Sequence, residues 1–370
     1  MAHNRNITVG LGCSALYNAR RDGITKYTEG LLSTPKECGI AFQKIFFGSK
    51  RTPQKNELHL ASKYSIGSFV SQLSHGLINP LRFDTTNLDL FHSPDHRAPM
   101  GLGIPIIGTI HDVFPFANPE FMRRRFNYFG KPILAGSIRP LDHVITVSEY
   151  SKEQIIKYFP FKEEMVSVVY NGIDDFWFEE VADKQVQKTL KSYRIDNDFF
   201  LCVGTFQPRK NYARIIDAYN RLSITEQKYC KLVIVGGGGW RNSVRGLITS
   251  NENIIHIEDA SDEALRCFYR AAKTLVFPTL AEGFGYPIIE AFAQCCPVIT
   301  SNVTANKEIA RDYAYLVNPE QTSEIVEALK QAIYGSENIR DMKIQARDYV
   351  KNFSISAMQA STAFVYEKLV

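Results

Sequence analysis

Between Phe277 and Glu290 the chain reads Phe-Pro-Thr-Leu-Ala-Glu-Gly-Phe-Gly-Tyr-Pro-Ile-Ile-Glu. Two carboxylates, Glu282 and Glu290, frame a turn made of Gly283, Phe284 and Gly285. Glycines let backbone come close to a bound group. Pro287 suits the first turn of a helix, where its missing N–H leaves nothing unbonded. The N–H groups of that turn are aimed at an anion. Glu290 falls in an otherwise apolar helical stretch, and a carboxylate buried there needs a partner. Ribose hydroxyls supply one, since a carboxylate accepts two hydrogen bonds from a vicinal diol. An exposed helix position is the plainer alternative. A phosphate cradle beside a glutamate suits a ligand carrying both phosphate and hydroxyls, and a nucleotide sugar fits that description.

A second charged pair, Arg209-Lys210, follows the apolar run Phe199–Val203 and precedes a helical pattern. In open α/β sheets, ligands bind outside the carboxyl ends of strands. Two cations at such a place can clamp a diphosphate and stabilise the charge that grows on it when its bond to a sugar breaks. A solvated basic turn is the bland alternative.

The elements that must hold these groups are short apolar runs alternating with helical patterns, a rhythm that predicts parallel sheets with crossover helices. Strands are expected at Ile7–Leu11, Ile45–Gly48, Leu88–Pro94, Pro105–Asp112, Asp142–Ser148 and Val166–Tyr170. Residues 49–63 read as polar and irregular. A helix succeeds Asp142–Ser148, capped by Ser148 or its rival Ser151. Residues 179–196 read as a linker with a short helix. A second cycle predicts strands at Phe199–Gly204, Lys231–Val235, Ile254–Ile257, Thr274–Phe277, Val298–Thr300 and Tyr315–Val317, with helices between them. Gly236–Gly239 lacks the Gly-Lys-Ser of a phosphate loop and reads as a flexible strand end.

Glu282 and Glu290 in the setting E-G-F-G-Y-P-I-I-E, together with Val203-Gly-Thr-Phe-Gln-Pro-Arg-Lys-Asn211 upstream and Pro297-Val-Ile-Thr-Ser-Asn302 downstream, resemble the signature of retaining glycosyltransferases of family 4 (glycosyl transferases group 1). The likeness is strong over residues 200–320 and weaker over the first half. It implies an α/β fold of the GT-B type, two Rossmann-like doubly wound domains facing a cleft. Expected boundaries are residues 1–178, 179–355 and a last helix, 356–370, crossing back to the first domain. The resemblance implies that Glu282 meets donor-sugar hydroxyls near the reacting carbon, and that His111, of His111-Asp112-Val-Phe-Pro115, meets the donor sugar from the first domain. It places Gly23, in Asp22-Gly23-Ile24-Thr25, in a glycine loop near phosphate or acceptor. The backbone of Gly283, Phe284 and Gly285 is given to the sugar-phosphate. Asn306-Lys307-Glu308-Ile309 departs from the family's Pro-Glu-Val run, with lysine in place of proline.

The same resemblance implies transfer of a hexose from a nucleoside-diphosphate sugar to a growing, lipid-linked glycan of lipopolysaccharide O-antigen or capsule. His111–Pro115 resembles mannosyltransferase relatives and points to GDP-mannose, with UDP- and dTDP-sugars left open. Catalytic duty falls on Glu282, His111, Arg209 and Lys210. No cofactor or metal is expected, since the two cations can do a metal's charge work. A non-hydrolysing sugar-nucleotide epimerase and a non-catalytic sugar-nucleotide binder are the competing readings. The first needs further acid–base residues, and the second sits badly with Glu282 and Lys210 both being present.

Composition agrees with a soluble globular chain. It has 370 residues, 45% hydrophobic and 22% charged, enough for two cores. No apolar run is long enough to span a bilayer, and the start lacks a secretory apolar core, so a cytoplasmic location is expected. Seven scattered cysteines without a Cys-x-x-Cys pair read as reduced thiols. The net charge of +4 sits entirely in residues 1–178. That is too little for a nucleic-acid binder but compatible with an anionic membrane face. Arg123-Arg124-Arg125, with Phe126, Tyr128 and Phe129 close behind, reads as a solvated helix face, as a contact with membrane or a lipid-diphosphate acceptor, or, least of the three, as a nucleic-acid contact.

Overall fold

The computed structural model describes residues 6–17, 22–48, 53–74, 77–95, 98–122, 131–238, 243–335 and 339–370. Arg123, Arg124 and Arg125 lie outside the described residues. Two compact units emerge, one of residues 1–172 with 355–370 and the other of residues 173–354.

The first unit is built on seven parallel strands: β1 (Ile7–Gly12), β2 (Ile40–Phe47), β3 (Glu57–Leu60), β4 (Leu90–Ser93), β5 (Ile106–Ile110), β6 (His143–Thr146) and β7 (Val166–Val168). Their order is β3-β2-β1-β4-β5-β6-β7, so the direction in which strands are added reverses between β1 and β4. Side chains alternate between two cores. Ile45, Phe47, Ile106 and Val144 enter one, while Phe46, Ile107 and Ile145 enter the other. Two buried faces explain why the strands read as continuous apolar runs. The helix Ile355–Leu369 belongs to this unit and gives Met358, Val365 and Tyr366 to the core beneath β1. Gln359 ties it down, donating to the carbonyl of Gly30 at 2.7 Å and to Ser33 Oγ at 2.9 Å.

The second unit has six parallel strands: β8 (Asp198–Val203), β9 (Cys230–Val235), β10 (Ile254–Ile257), β11 (Thr274–Phe277), β12 (Val298–Ser301) and β13 (Tyr315–Val317). Their order is β10-β9-β8-β11-β12-β13, so β8 and β11 are central neighbours. Gly236 ends β9 with φ +122°, and a Cβ there would stand 2.4 Å from the carbonyl oxygen of Gly204. Backbone packs on backbone at that point, so Gly236 is a tightly seated residue and not a loose strand end.

Several expectations are corrected. Residues 49–63 are not wholly irregular: Glu57–Leu60 adds β3 to the sheet edge, pairing Lys44 with Glu57 and packing Leu58 and Leu60 on the core. The strand expected at Ile45–Gly48 begins at Ile40. Ser148 wins over Ser151 as cap, its Oγ accepting from the Ser151 amide at 3.0 Å. The first boundary falls after Gly172, not Phe178. Trp177 is buried in the second unit, where its carbonyl accepts from Gln294 Nε2 at 2.5 Å. Arg266 lies 3.9 Å over the Phe176 ring and reaches Glu179 at 2.9 Å. The second boundary falls between Ser354 and Ile355, one residue earlier than expected. The helix Tyr64–Leu73 is an addition to the expected elements. No helix among the described residues is long and apolar enough to cross a membrane.

Candidate active site

The loop after β8 is shaped by residues that tolerate unusual backbone. Gly204 takes φ +138°. The short turn Pro208–Lys210 comes next, opened by proline and closed by Asn211 at φ +62°. Asparagine is among the few residues that adopt this left-handed conformation readily. Its Nδ2 donates to the carbonyls of Pro278 at 2.9 Å and Pro319 at 2.7 Å, pinning the turn to the end of β11. The Leu280 amide donates to the Arg209 carbonyl at 2.7 Å and completes the join.

This join brings Arg209, Lys210 and Glu282 together. Arg209 Nη1 and Lys210 Nζ each stand 2.7 Å from the same oxygen, Glu282 Oε1. Arg209 is held further by the Ala281 carbonyl at 3.1 Å and by Gln207 Oε1 at 2.9 Å. Lys210 Nζ lies 4.6 Å from the centre of the Phe277 ring. Glu282 is only 6% exposed. Burial alone would raise its carboxyl, but the charges of Arg209 and Lys210 outweigh burial and hold it below the ordinary range. Burial pulls the Lys210 ammonium down to about 8, with Glu282 opposing that pull and Arg209 adding to it. With both cations charged the cluster keeps one net positive charge, in surroundings where charge is poorly screened. An anion can claim it.

Beside the cluster, Gly285 at φ +103° precedes the helix Tyr286–Ala293, with Pro287 in its first turn. A Cβ at Gly285 would meet Asn306 Oδ1 at 3.1 Å and Ile288 at 3.1 Å. The conformation and the crowding both require glycine. Asn306 is fully buried and donates to Thr279 Oγ1 at 2.8 Å. The replaced proline position, Lys307, is exposed on the helix Thr304–Ala310, which forms without it.

Glu290 is buried, and its Oε2 accepts from the Tyr269 hydroxyl at 3.0 Å. Burial and the carboxylate drive the Tyr269 phenol far above its ordinary range, so it keeps its proton and donates. The protein thus provides one partner where the sequence suggested ribose. Tyr269 and Thr279 carry no signal in the sequence, and the motifs that include Asn211 and Asn306 do not show that these two side chains brace the site. Tyr269 sits on the buried face of the helix Asp262–Ala271 with Leu265 and Phe268, and nothing local separates it from core.

His111 and Gly23 belong to the first unit. Gly23 is exposed and opens the helix Gly23–Leu32, with a φ outside the left-handed region. Asp22 caps that helix, accepting from the Thr25 amide at 2.9 Å. His111 Nε2 lies 2.9 Å from the Pro94 carbonyl, which only accepts, so Nε2 carries hydrogen and Nδ1 of the neutral ring is the acceptor. Burial holds the imidazole below its ordinary pKa. The ring meets Tyr27 edge-on at 5.1 Å. Asp112 caps the turn rather than the ring, its Oδ1 accepting from the Phe114 amide at 3.3 Å.

Comparison with known proteins places this arrangement. Residues 185–349 match the family model described as Glycosyl transferases group 1, and residues 57–175 match Glycosyltransferase Family 4. O-antigen chain mannosyltransferase B of Escherichia coli is 27% identical over 250 residues, covering 66% of this chain and 65% of that one. O-antigen chain mannosyltransferase RfbU of Salmonella typhimurium is 27% identical over 255 residues, covering 68% and 66%. The match thus spans just under two thirds of those relatives' lengths. Among solved structures, the Anabaena protein HepE in complex with UDP superposes with a TM-score of 0.74 at 14% identity, over 98% of this chain and all of that one. That likeness establishes the fold as GT-B, two Rossmann-like domains in one chain. With a family model on each unit, and the Arg209–Lys210–Glu282 cluster where the group 1 model matches, the chain belongs to the family 4 glycosyltransferases.

Proposed function

We propose that the protein is a retaining glycosyltransferase that moves a hexose from a nucleoside-diphosphate sugar to a lipid-linked glycan of the O-antigen type. The observation that carries this reading is the convergence of Arg209 and Lys210 on one buried oxygen of Glu282. On donor binding the diphosphate takes over the two cations, and Glu282 turns to the sugar hydroxyls. The bond between the anomeric carbon and the phosphate oxygen breaks as the acceptor oxygen attacks from the same face. The leaving phosphate receives the acceptor's proton. Charge growing on that phosphate is met by groups already in place, which is where preorganised electrostatics count most. In this reading the cations do the neutralising and no metal ion is needed. Glu290, steadied by Tyr269, takes the ribose. The backbone of Gly283, Phe284 and Gly285 takes the sugar-phosphate, while His111 and Gly23 serve from the first unit. The names of the O-antigen relatives favour mannose as the sugar; GDP-mannose as donor and a cytoplasmic site of action on the membrane face belong to the same proposal.

The test is calorimetric binding of GDP-, UDP- and dTDP-sugars, then slow hydrolysis of those that bind. GDP-mannose is expected to bind and to release mannose at a low rate without acceptor. Failure of every nucleoside-diphosphate sugar to bind would overturn the reading.

A further inference from the structure

Just beyond β12 the second unit breaks several rules of packing at once. Thr304 takes φ +58°, a left-handed conformation that a β-branched residue rarely adopts. Its Oγ1 is buried with no hydrogen-bond partner. Asn306 is fully buried, and its Oδ1 has no partner either. Buried polar atoms are nearly always paired, and an orphan lowers stability. Ala305, Ile309 and Ala310 on the same helix are buried and apolar. A leucine in place of Asn306 has the same branching and would leave no oxygen stranded. Strain and unpaired groups that persist together mark places kept for function.

The direction of the stranded oxygen narrows that function. Asn306 Nδ2 donates to Thr279 Oγ1 at 2.8 Å. Ser301 Oγ donates to the Thr279 carbonyl at 2.5 Å, and Thr300 Oγ1 to the Phe277 carbonyl at 3.0 Å. The ends of β11 and β12 are thus stapled together by side chains, and the carboxamide is fixed at its nitrogen. Its oxygen fills the space that Gly285 leaves by having no side chain, 3.1 Å from where a Cβ would stand. No bound molecule can touch this oxygen while the turn Gly283–Gly285 lies over it. The turn itself can reach it. The Gly285 N–H is one bond away from the Cα that the oxygen abuts, and glycine's free backbone lets that peptide rotate.

We propose that Asn306 is a positioning residue of the donor site, its Oδ1 an acceptor held for the Gly285 N–H, which swings onto it when the donor's sugar-phosphate engages the turn. The inference rests on the reading of this turn as the cradle of the sugar-phosphate. Without donor the oxygen is unpaired and the chain is less stable for it. With donor the oxygen is paired, and the hydrogen bond gained adds to donor affinity. Asn306 touches neither sugar nor phosphate and acts only through the turn.

The test uses GDP-mannose, or whichever nucleotide sugar the panel above selects, with the matching nucleoside monophosphate as control. The monophosphate lacks the group that the turn receives. Calorimetry should show Asn306→Leu binding the nucleotide sugar about tenfold more weakly, the scale of one buried hydrogen bond, and the monophosphate as the parent does. The melting temperature without ligand should stay level or rise, because the stranded oxygen is gone. In steady state the loss should appear in KM more than in kcat. Thr279→Val removes the anchor at the other end of the carboxamide and should weaken the nucleotide sugar to a smaller degree. The double variant should be no worse than Asn306→Leu, since both changes act through one contact. Equal affinity of parent and Asn306→Leu for the nucleotide sugar would overturn the proposal. So would a joint loss of monophosphate binding and melting temperature, which would make Asn306 a packing residue alone. Should Asn306→Leu not fold, Thr279→Val decides by itself, and unchanged affinity for the nucleotide sugar in that variant overturns the proposal. A parent that binds no nucleotide sugar fails the reading of the site, whereas a parent that binds one beside an unaffected variant fails this inference alone.

Discussion

At the ends of β8 and β11 the second unit gathers two cations and a carboxylate, whereas within β4 and β5 the first unit buries a network of neutral groups. There, His92 Nε2 lies 2.8 Å from Thr109 Oγ1, and His92 Nδ1 lies 2.6 Å from the Tyr366 hydroxyl. The Tyr27 hydroxyl meets the same Thr109 at 3.0 Å. All four side chains are essentially fully buried. The neutral network is complete in itself and locks the C-terminal helix to the sheet. Arg209, Lys210 and Glu282 together carry one net positive charge, which a bound anion can balance. A buried polar group with all its partners present serves stability, and a buried cluster with charge to spare serves binding.

The sharpest break of this comparison is Lys210→Ala. If the cluster stabilises a leaving diphosphate, kcat should fall about 10²–10³-fold, as when a preorganised donor is lost. An unchanged kcat with only a raised KM would reduce the cluster to a binding feature. The same residue should show in a pH profile: with its ammonium at about 8, kcat/KM for the donor should decline above that pH.

Glu282→Gln should cost about 100-fold in turnover, with nucleotide affinity little changed, because the amide keeps the shape but not the charge that meets the cations and the sugar. Unimpaired turnover would remove Glu282 from the site.

Smaller effects are expected one helix turn away. Glu290→Ala should raise the donor KM about tenfold and leave kcat intact, the scale of one hydrogen bond to a charged group. Tyr269→Phe should do the same more weakly, since it only loosens the carboxylate. A matching loss of kcat in either variant would mean that the ribose contact is not remote from the reacting bond.

The neutral network should instead answer to acid. Burial lowers the His92 pKa from its ordinary value near 6.5 to about 3. Between those values the unfolded chain binds the proton and the folded chain does not, so stability present above about pH 6.5 is lost as pH falls toward 3. Urea midpoints should therefore drop from pH 7 to pH 4, and His92→Gln should flatten that drop while leaving nucleotide-sugar binding in place. His143, lowered by burial to about 4, contributes in the same direction.

The charged cluster was legible in the sequence because each of its members stands next to a strand end and a turn-forming residue. Arg209 and Lys210 come after Pro208 beyond β8, and Glu282 precedes Gly283 beyond β11. In a parallel sheet, residues at such positions of adjacent strands meet whatever lies between them in the chain. The strands were legible for the same reason. Runs such as Thr274–Phe277 are buried on both faces, and burial on both faces leaves a continuous apolar signature.

The helix Tyr64–Leu73 was not legible, since its pattern is amphipathic in the wrong sense and only Leu81 pressing on Gly67 sets which face goes in. The hydroxyl that holds Glu290 and the neutral network around His92 were hidden too. Tyr269 precedes Glu290 by 21 residues, and Tyr366 lies 274 residues beyond His92. The sequence by itself determined which segments become strands and which charged residues gather at their ends, because strand identity and edge position are local properties. Tertiary structure alone decided which buried polar groups find one another and which apolar face stays outside. Those outcomes depend on partners brought together only when the sheets and their covering helices have packed.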